Sequence, residues 1–364
     1  MDKPNVQPFI NLVNILLEID PKAEIIGVQG DCPDLKSRVD SENYTVIKHR
    51  QGKNPLYRVI NYLATQLRIS KNLLLFSKNV HHWFFFQGES QILPLISAKM
   101  LGKKTYLIIG GQREKEIEIL GDFIAKPLKF FKKMNLALAD HIVLYSPRLV
   151  GEWGFTNYER KIIIAPRHYI DVSEFSVQKP FPHRNRINVG FIGRFWEGKG
   201  IFEFVNAIPI ILKEHAELSF FIGGDGILRD EIHNMIQELG LCERVNVSSW
   251  IEHEHLPDYL NELSILVIPS YTEGLPNIML EAMSCGTIVL ATAVGSIPDI
   301  ITDGETGFLM ENPSAECIAE GVTRILCNTD LDAVSSNARK CITDNFTFDK
   351  AVERYTNLLN NQTT

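Results

Sequence analysis

The sequence has few cysteines and no pattern among them. Its six, at positions 32, 242, 285, 317, 327 and 341, are scattered through 364 residues with no C-x-x-C pair. That excludes a disulfide framework and a closed zinc site, and it predicts reduced thiols in a cytoplasmic setting. Long apolar runs are also missing. The longest bursts, Asn72-Leu-Leu-Leu-Phe76 and Ile265-Leu-Val-Ile268, read as strand-sized, far short of the ~18 consecutive apolar residues of a membrane span. The N-terminus, Met-Asp-Lys-Pro-Asn-Val-Gln-Pro, lacks the charged-then-apolar order and the cleavage site of a signal peptide. Glycine and proline, 24 and 17 residues, are too few for a collagenous or low-complexity chain.

What is present is ordinary globular material. Apolar residues make up 45% and charged residues 22%, and the length favours two domains at roughly 100–200 residues each. The net charge of −7 hides an asymmetry: residues 1–180 carry 25 Lys+Arg and 18 Asp+Glu, whereas residues 181–364 carry 12 and 26. Either the first half meets something anionic or surface charge has drifted. Nucleic acid is a poor partner, because the chain is acidic overall and holds no recognisable binding module.

The second half reads cleanly as strands alternating with helices. Strand 187–192 ends in Gly193-Arg194; helix 201–215, strand 218–222, helix 228–239, strand 245–247, helix 256–263 and strand 265–268 follow. Helix 277–283 stops at Gly286, a usual capping residue, before strand 288–291 and a short helix from Pro298. The first half repeats the rhythm: helix 8–19, strand 24–28, strand 44–48, helix 56–67, strand 81–86, helix 92–100, strand 104–109, helix 127–139 and strand 141–145. Such alternation predicts βαβ units and parallel sheets. The polar, proline-bearing segment Val177–Asn185 is the best linker candidate. The expected fold class is α/β, with two doubly wound, Rossmann-like domains facing across a cleft. Their bounds are 1–180 and 186–340.

Four segments of the second half carry most of the information, set at strand ends, where open α/β sheets bind ligands. Gly193-Arg194-Phe-Trp-Glu-Gly-Lys199-Gly200 places two cations beside exposed backbone, which suits a diphosphate or a solvated loop. Gly223-Gly224-Asp225-Gly226 allows close backbone approach, to a ligand or simply in a turn. Glu273-Gly274-Leu275-Pro276-Asn277 opens a helix carrying Glu281. Pro276 suits a first helical position, and the amides there favour an anion. Glu273 is either a capping acid or a group reaching for sugar hydroxyls. Val294–Asp299 with Asp303–Phe308 is a fourth, structural loop.

Taken together, G-R-x-x-x-x-K-G, then G-x-G, then Glu273 and Glu281 as E-x7-E resemble the donor half of retaining glycosyltransferase family 4, the group 1 glycosyl transferases of GT-B fold. The resemblance covers about residues 140–360, including Phe346–Tyr355, which in the family lies in a helix (here 346–360) that packs back on the first domain. It implies transfer of a sugar from a nucleotide sugar, with retention, to a glycan or lipid-linked acceptor, with no metal and no further cofactor. By position it makes Glu273, Arg194 and Lys199 the catalytic residues: Glu273 faces the donor sugar, and Arg194 and Lys199 hold the diphosphate. Gly193, Gly224, Gly274, Leu275, Pro276 and Asn277 line the donor, Ile251 meets the base, and Glu281 binds ribose. A GT-B epimerase or phosphorylase, or a non-catalytic donor-binding subunit, would keep the same architecture.

The first half departs from the family pattern. Family members open on a strand and a glycine-rich loop, which have no counterpart before helix 8–19, and Gly110-Gly111-Gln112 stands where many carry a histidine. Gln87, Gly111 and Gln112 are therefore weak acceptor-side candidates. Glu252-His253-Glu254-His255 and His81-His82 could be metal ligands, but surface or packing roles are favoured, since no third ligand is indicated. Helix 127–139 sets Lys129, Lys132 and Lys133 among Phe130, Phe131 and Met134. It is a solvated face, or one that meets an anionic membrane peripherally at the cytoplasmic surface.

Overall fold

The structure, a computed structural model, describes residues 6–29, 44–49, 55–111, 125–178 and 188–360. The chain divides into two compact units, Met1–His168 with Ala351–Thr364, and Tyr169–Lys350. The boundary thus falls at His168. The segment from Tyr169 groups with the second unit, where Gln178 N donates to Asn261 Oδ1 at 2.8 Å. Residues 179–187, most of the expected linker, lie outside the described residues.

In the first unit, α1 (Val6–Ile19) precedes a parallel pair, β1 (Ile25–Gln29) and β2 (Tyr44–Lys48). After α2 (Pro55–Phe76) comes a four-stranded parallel sheet: β3 (His82–Phe86), β4 (Lys104–Ile108), β5 (His141–Leu144) and β6 (Ile162–Ile164), in that order. Helices α3 (Ile92–Met100), α4 (Ala125–Leu138) and α5 (Arg148–Glu152) connect its strands. Strand β4 is buried from Thr105 onward, and Tyr106 stacks between Phe84 and His141 with centroids 4.6 and 5.1 Å away. Burial, reinforced by Asp140, pushes its phenol up to about 12.

The second unit runs β7 (Asn188–Ile192), α6 (Ile201–Glu214), β8 (Ser219–Gly223), α7 (Arg229–Glu238), β9 (Val245–Ser248), α8 (Leu256–Glu262), β10 (Ile265–Ile268) and α9 (Asn277–Ser284). It continues through β11 (Ile288–Thr292), α10 (Ile297–Ile300), β12 (Phe308–Met310), α11 (Ala315–Leu326) and α12 (Leu331–Asn345). The chain then enters α13 (Phe348–Asn360), whose residues from Ala351 belong to the first unit. All six strands are parallel, in the order β12-β11-β10-β7-β8-β9. Strand order therefore reverses beside β7, and the crevice past the carboxyl ends of β7 and β10 is the switch point where such sheets take ligands.

The core follows from the sequence pattern. Strands β10 and β11 are buried at every position, as expected for parallel strands covered on both faces. On α6, Ile201, Phe204, Val205, Ile208 and Ile211 recur at helical spacing and are all buried. Ser314 caps α11, its side chain accepting from Cys317 N. Gly321 lets that helix lie on β11, since a Cβ there would stand 2.7 Å from Leu290.

Four expectations are corrected. The burst Asn72–Phe76 is the last turn of α2, not a strand: Leu74 and Leu75 are exposed, so no sheet covers them. Short apolar runs of this kind do not distinguish strand from helix. Strand β6 was not anticipated, because Ile162–Ile164 is only three residues long. Pro276 is the residue before α9, in extended conformation, and Asn277 is its first helical residue. Lys132 is buried, its ammonium 5.3 Å from the Phe155 ring centroid, so it does not belong to a solvated face.

The ring of Phe204 is fully buried, with centroids 5.9 Å from Phe191 and 6.5 Å from Phe220. Phe204→Ala should therefore cost the second unit about 3–5 kcal/mol, read as a lowered denaturant midpoint. A loss below about 1 kcal/mol would contradict this packing.

Candidate functional site

The site is built from strand-end loops fastened to one another through backbone. Gly193 N donates to Gly223 O at 2.9 Å, and Phe195 N donates to Asp225 O at 2.9 Å, joining the loops after β7 and β8. The join is close enough that a Cβ on Gly224, whose φ is +141°, would stand 1.9 Å from Gly193 O. The β7 loop also meets the β10 loop: Tyr271 N donates to Gly198 O at 3.1 Å, and a Cβ on Gly200 would stand 1.9 Å from Pro269 O. The β10 and β11 loops close the row, with Ser296 N donating to Gly274 O at 2.9 Å. The G-x-G and K-G signals are thus requirements for backbone lying on backbone.

These contacts bring Lys199 and Glu273 together. Lys199 Nζ lies 2.5 Å from Glu273 Oε1, and Ser270 Oγ donates to the same oxygen at 2.6 Å. Glu273 is 9% exposed and Ser270 1%. Neither bond uses Oε2. An ammonium has three N–H groups, and Glu273 takes one from a Lys199 side chain that stays 26% exposed. Arg194 is exposed, with its guanidinium 5.5 Å from the Trp196 ring centroid. Helix α9 begins at Asn277 with no side-chain cap, so its first amides and its dipole favour negative charge ahead of it. The arrangement offers two cations, bare amides and a buried carboxylate at one switch point, which suits an anionic ligand carrying hydroxyl groups.

Glu281, on α9, is also buried, and His253 Nε2 lies 3.1 Å from its Oε1. His253, in the loop before α8, packs against Phe175 with centroids 5.2 Å apart. Sequence reasoning placed Glu281 but not this partner. The signal was available in Glu252–His255 as a cluster, without any indication of which acid its histidine would meet. Ser270 was missed for the same reason. Ile251 packs by the end of β8, its Cδ1 2.7 Å from where a Gly223 Cβ would stand. Among the described residues, no three His, Cys, Asp or Glu side chains gather as around a metal ion.

In the first unit, Gln87 follows β3 in left-handed conformation with φ at 50°, and its Nε2 lies 3.4 Å from where a Gly110 Cβ would stand. Gly111 follows β4 with open space beside it, and Gln112 lies outside the described residues.

The hydrogen bond to Glu281 raises the His253 pKa above 6.5; burial opposes it, and the charges of Glu281 and Glu174 add to the rise. The stabilisation from this pair is therefore full below 6.5 and is lost as pH rises through the elevated folded value. NMR titration should place His253 above 6.5, and Glu281→Gln should bring it down. A wild-type value at or below 6.5 would contradict the pairing.

Residues 172–341 match the family model of the glycosyl transferases group 1. An uncharacterized glycosyltransferase of Methanocaldococcus jannaschii is 25% identical over 318 residues, 86% of this chain and 84% of that protein. The gpi3 subunit of a Schizosaccharomyces pombe phosphatidylinositol N-acetylglucosaminyltransferase is 28% identical over 140 residues, 38% of this chain and 30% of that one. Several other curated relatives, like that subunit, are matched over only 30–43% of their own length. Among solved structures, Anabaena HepE in complex with UDP-glucose superposes with a TM-score of 0.75 at 15% identity, covering 97% of this chain and 95% of that one. The fold is GT-B, two Rossmann-like α/β units in one chain, and residues 172–341 are similar to the glycosyl transferases group 1.

Proposed function

We propose that this protein is a retaining glycosyltransferase that moves a sugar from a nucleotide-sugar donor to a glycan or lipid-linked acceptor. The observation that carries the reading is the Lys199–Glu273–Ser270 cluster at the switch point of a unit similar to the glycosyl transferases group 1, with Glu281 buried on the adjoining helix. The complex of Anabaena HepE with UDP-glucose supports a donor of this class.

In this mechanism Arg194, Lys199 and the α9 amides hold the diphosphate and offset the charge that develops on it as the glycosidic bond breaks. Lys199 is aimed by Glu273, so the cation is in place before the donor arrives and little reorganisation is needed. The free Oε2 side of the Glu273 carboxylate accepts from sugar hydroxyls, and Glu281 accepts from ribose hydroxyls. The nucleophile is an acceptor hydroxyl attacking from the face the diphosphate leaves, which gives retention without a protein nucleophile.

The acceptor side has a surface suited to an anionic membrane. Lys126, Lys129, Phe130 and Lys133 of α4 are exposed. On α2, Ile60, Leu63, Leu67 and Leu74 are exposed along one helical face, and residues 43–88 contain no Asp or Glu. Each lysine near an anionic surface contributes about 1 kcal/mol. Among the described residues no helix is long and apolar enough to cross a membrane, so contact would be peripheral.

The purified chain should turn over at least one nucleotide sugar in a panel, with the anomeric configuration kept in the product; no turnover and no binding across the panel would overturn the reading. Arg194→Ala or Lys199→Ala removes charge-assisted bonds worth about 1.5–3 kcal/mol, so nucleoside diphosphate affinity should fall roughly 10- to 150-fold. Unchanged affinity in both would move the phosphates elsewhere. Vesicle sedimentation should require anionic lipid, weaken with salt and drop when Lys129 and Lys133 become Glu. Equal recovery on neutral vesicles would leave a soluble acceptor.

A further inference from the structure

Glu281 belongs to a closed circuit of contacts within the second unit. It lies three residues before Ser284 on α9, so the two side chains share a face of the helix. Ser284 Oγ donates to Phe175 O at 2.6 Å, and Arg339 Nη1 donates to the same carbonyl at 3.2 Å. Phe175 is 2% exposed, and the His253 ring packs on it with centroids 5.2 Å apart. His253 Nε2 lies 3.1 Å from Glu281 Oε1, which brings the circuit back to α9.

The circuit divides the two carboxylate oxygens. An ionised carboxylate only accepts, so His253 Nε2 carries the hydrogen whether the ring is neutral or protonated. Glu281 is 6% exposed, and among the described residues its side chain makes no other hydrogen bond. Its Oε2 is not one of the sealed polar atoms that lack a partner, so it is open to solvent. A carboxylate this far out of water calls for donors on both oxygens. Oε1 has its donor in His253, and Oε2 can receive one from outside. The His253 side chain keeps 46% of its own surface exposed, so the pair stands at the rim of the site and not in the core.

The same contacts fix which way Oε2 faces. A ring packed on Phe175 and bonded to Oε1 opposes the rotation that would exchange the two oxygens. An acceptor oriented in advance loses little freedom when a hydroxyl docks on it. A bond that merely fastened the β9 loop to α9 would act on every ligand alike, whereas a bond that aims Oε2 acts on the hydroxyl that Oε2 meets.

We propose that His253 is a positioning residue for ribose: it holds Glu281 Oε1, presents Oε2 to the ribose hydroxyls of the donor, and so sets the preference for a ribonucleotide. The proposal rests on the reading above that Glu281 accepts from ribose. Calorimetry on the full chain takes whichever of UDP, GDP and ADP binds most tightly, beside its 2′-deoxy and 3′-deoxy forms. The wild-type chain should bind at least one deoxy form about tenfold or more weakly, the loss of one charge-assisted hydrogen bond. His253→Ala should shrink that preference to about threefold or less by weakening the ribonucleotide. His253→Gln, whose amide also donates, should restore most of it. A preference kept in His253→Ala, or an equal loss for all three forms, overturns the inference and leaves the Glu281 reading in place. No preference in the wild-type chain removes Glu281 from the ribose and the inference with it. Failure of all three diphosphates to bind overturns the transferase reading itself, and the inference falls with it.

Discussion

The second unit depends on one constraint: a carboxylate taken almost out of water must be met by a cation and a hydroxyl at fixed positions. Glu273 is 9% exposed, and both its bonds, from Lys199 and Ser270, fall on one oxygen. Removing Lys199 would leave the buried Glu273 charge without its cation, which is more destabilising than the pair is stabilising. The loops that bring these groups together are 74 residues apart in sequence for Lys199 and Glu273. They are held by backbone hydrogen bonds between strand ends, not by the side chains themselves. Glycines at 200 and 224, where a Cβ would stand 1.9 Å from a neighbouring carbonyl oxygen, are the condition for that closeness.

The two units use the same geometry for different ends. In each, a parallel sheet delivers loops to one edge, and in each that edge concentrates positive charge near glycine. In the second unit the charge is paired internally, by Lys199 with Glu273. In the first, Arg167 lies between the rings of Phe86 and Tyr145 and meets a neutral histidine.

Much of this was legible in the residues, for reasons that differ by segment. Strands β10 and β11 are continuous apolar runs ended by glycine, proline or threonine, and the helices between them keep a 3.6-residue period, so the βαβ rhythm of the second unit needs no tertiary information. G-R-x-x-x-x-K-G and E-x7-E could be placed at strand ends because each is local: a cation a fixed distance past a strand, an acid one turn before a helix. What the residues could not supply was pairing across loops. Nothing near Glu273 announces that Ser270 turns inward, and nothing in Glu252–His255 says that His253 meets Glu281. Nothing local marks Arg167 and His168 as buried, and they are 4% and 2% exposed. Arg354, almost 190 residues later, donates to the Pro166 and His168 carbonyls over separations of 188 and 186 positions. Lys132 misled in the other direction, since a lysine among lysines reads as solvated until the Phe155 ring covers it.

The most direct test of the account separates binding from chemistry at Glu273. Glu273→Gln keeps the size of the side chain and one oxygen to accept from Lys199 and Ser270, while it removes the charge and turns the other oxygen into an amide donor. The account predicts that the dissociation constant for nucleoside diphosphate changes by no more than about threefold. Turnover of the nucleotide sugar should fall by ~100-fold or more, about 2.7 kcal/mol of added barrier. Unchanged turnover, or a loss explained wholly by weaker nucleotide binding, would contradict it.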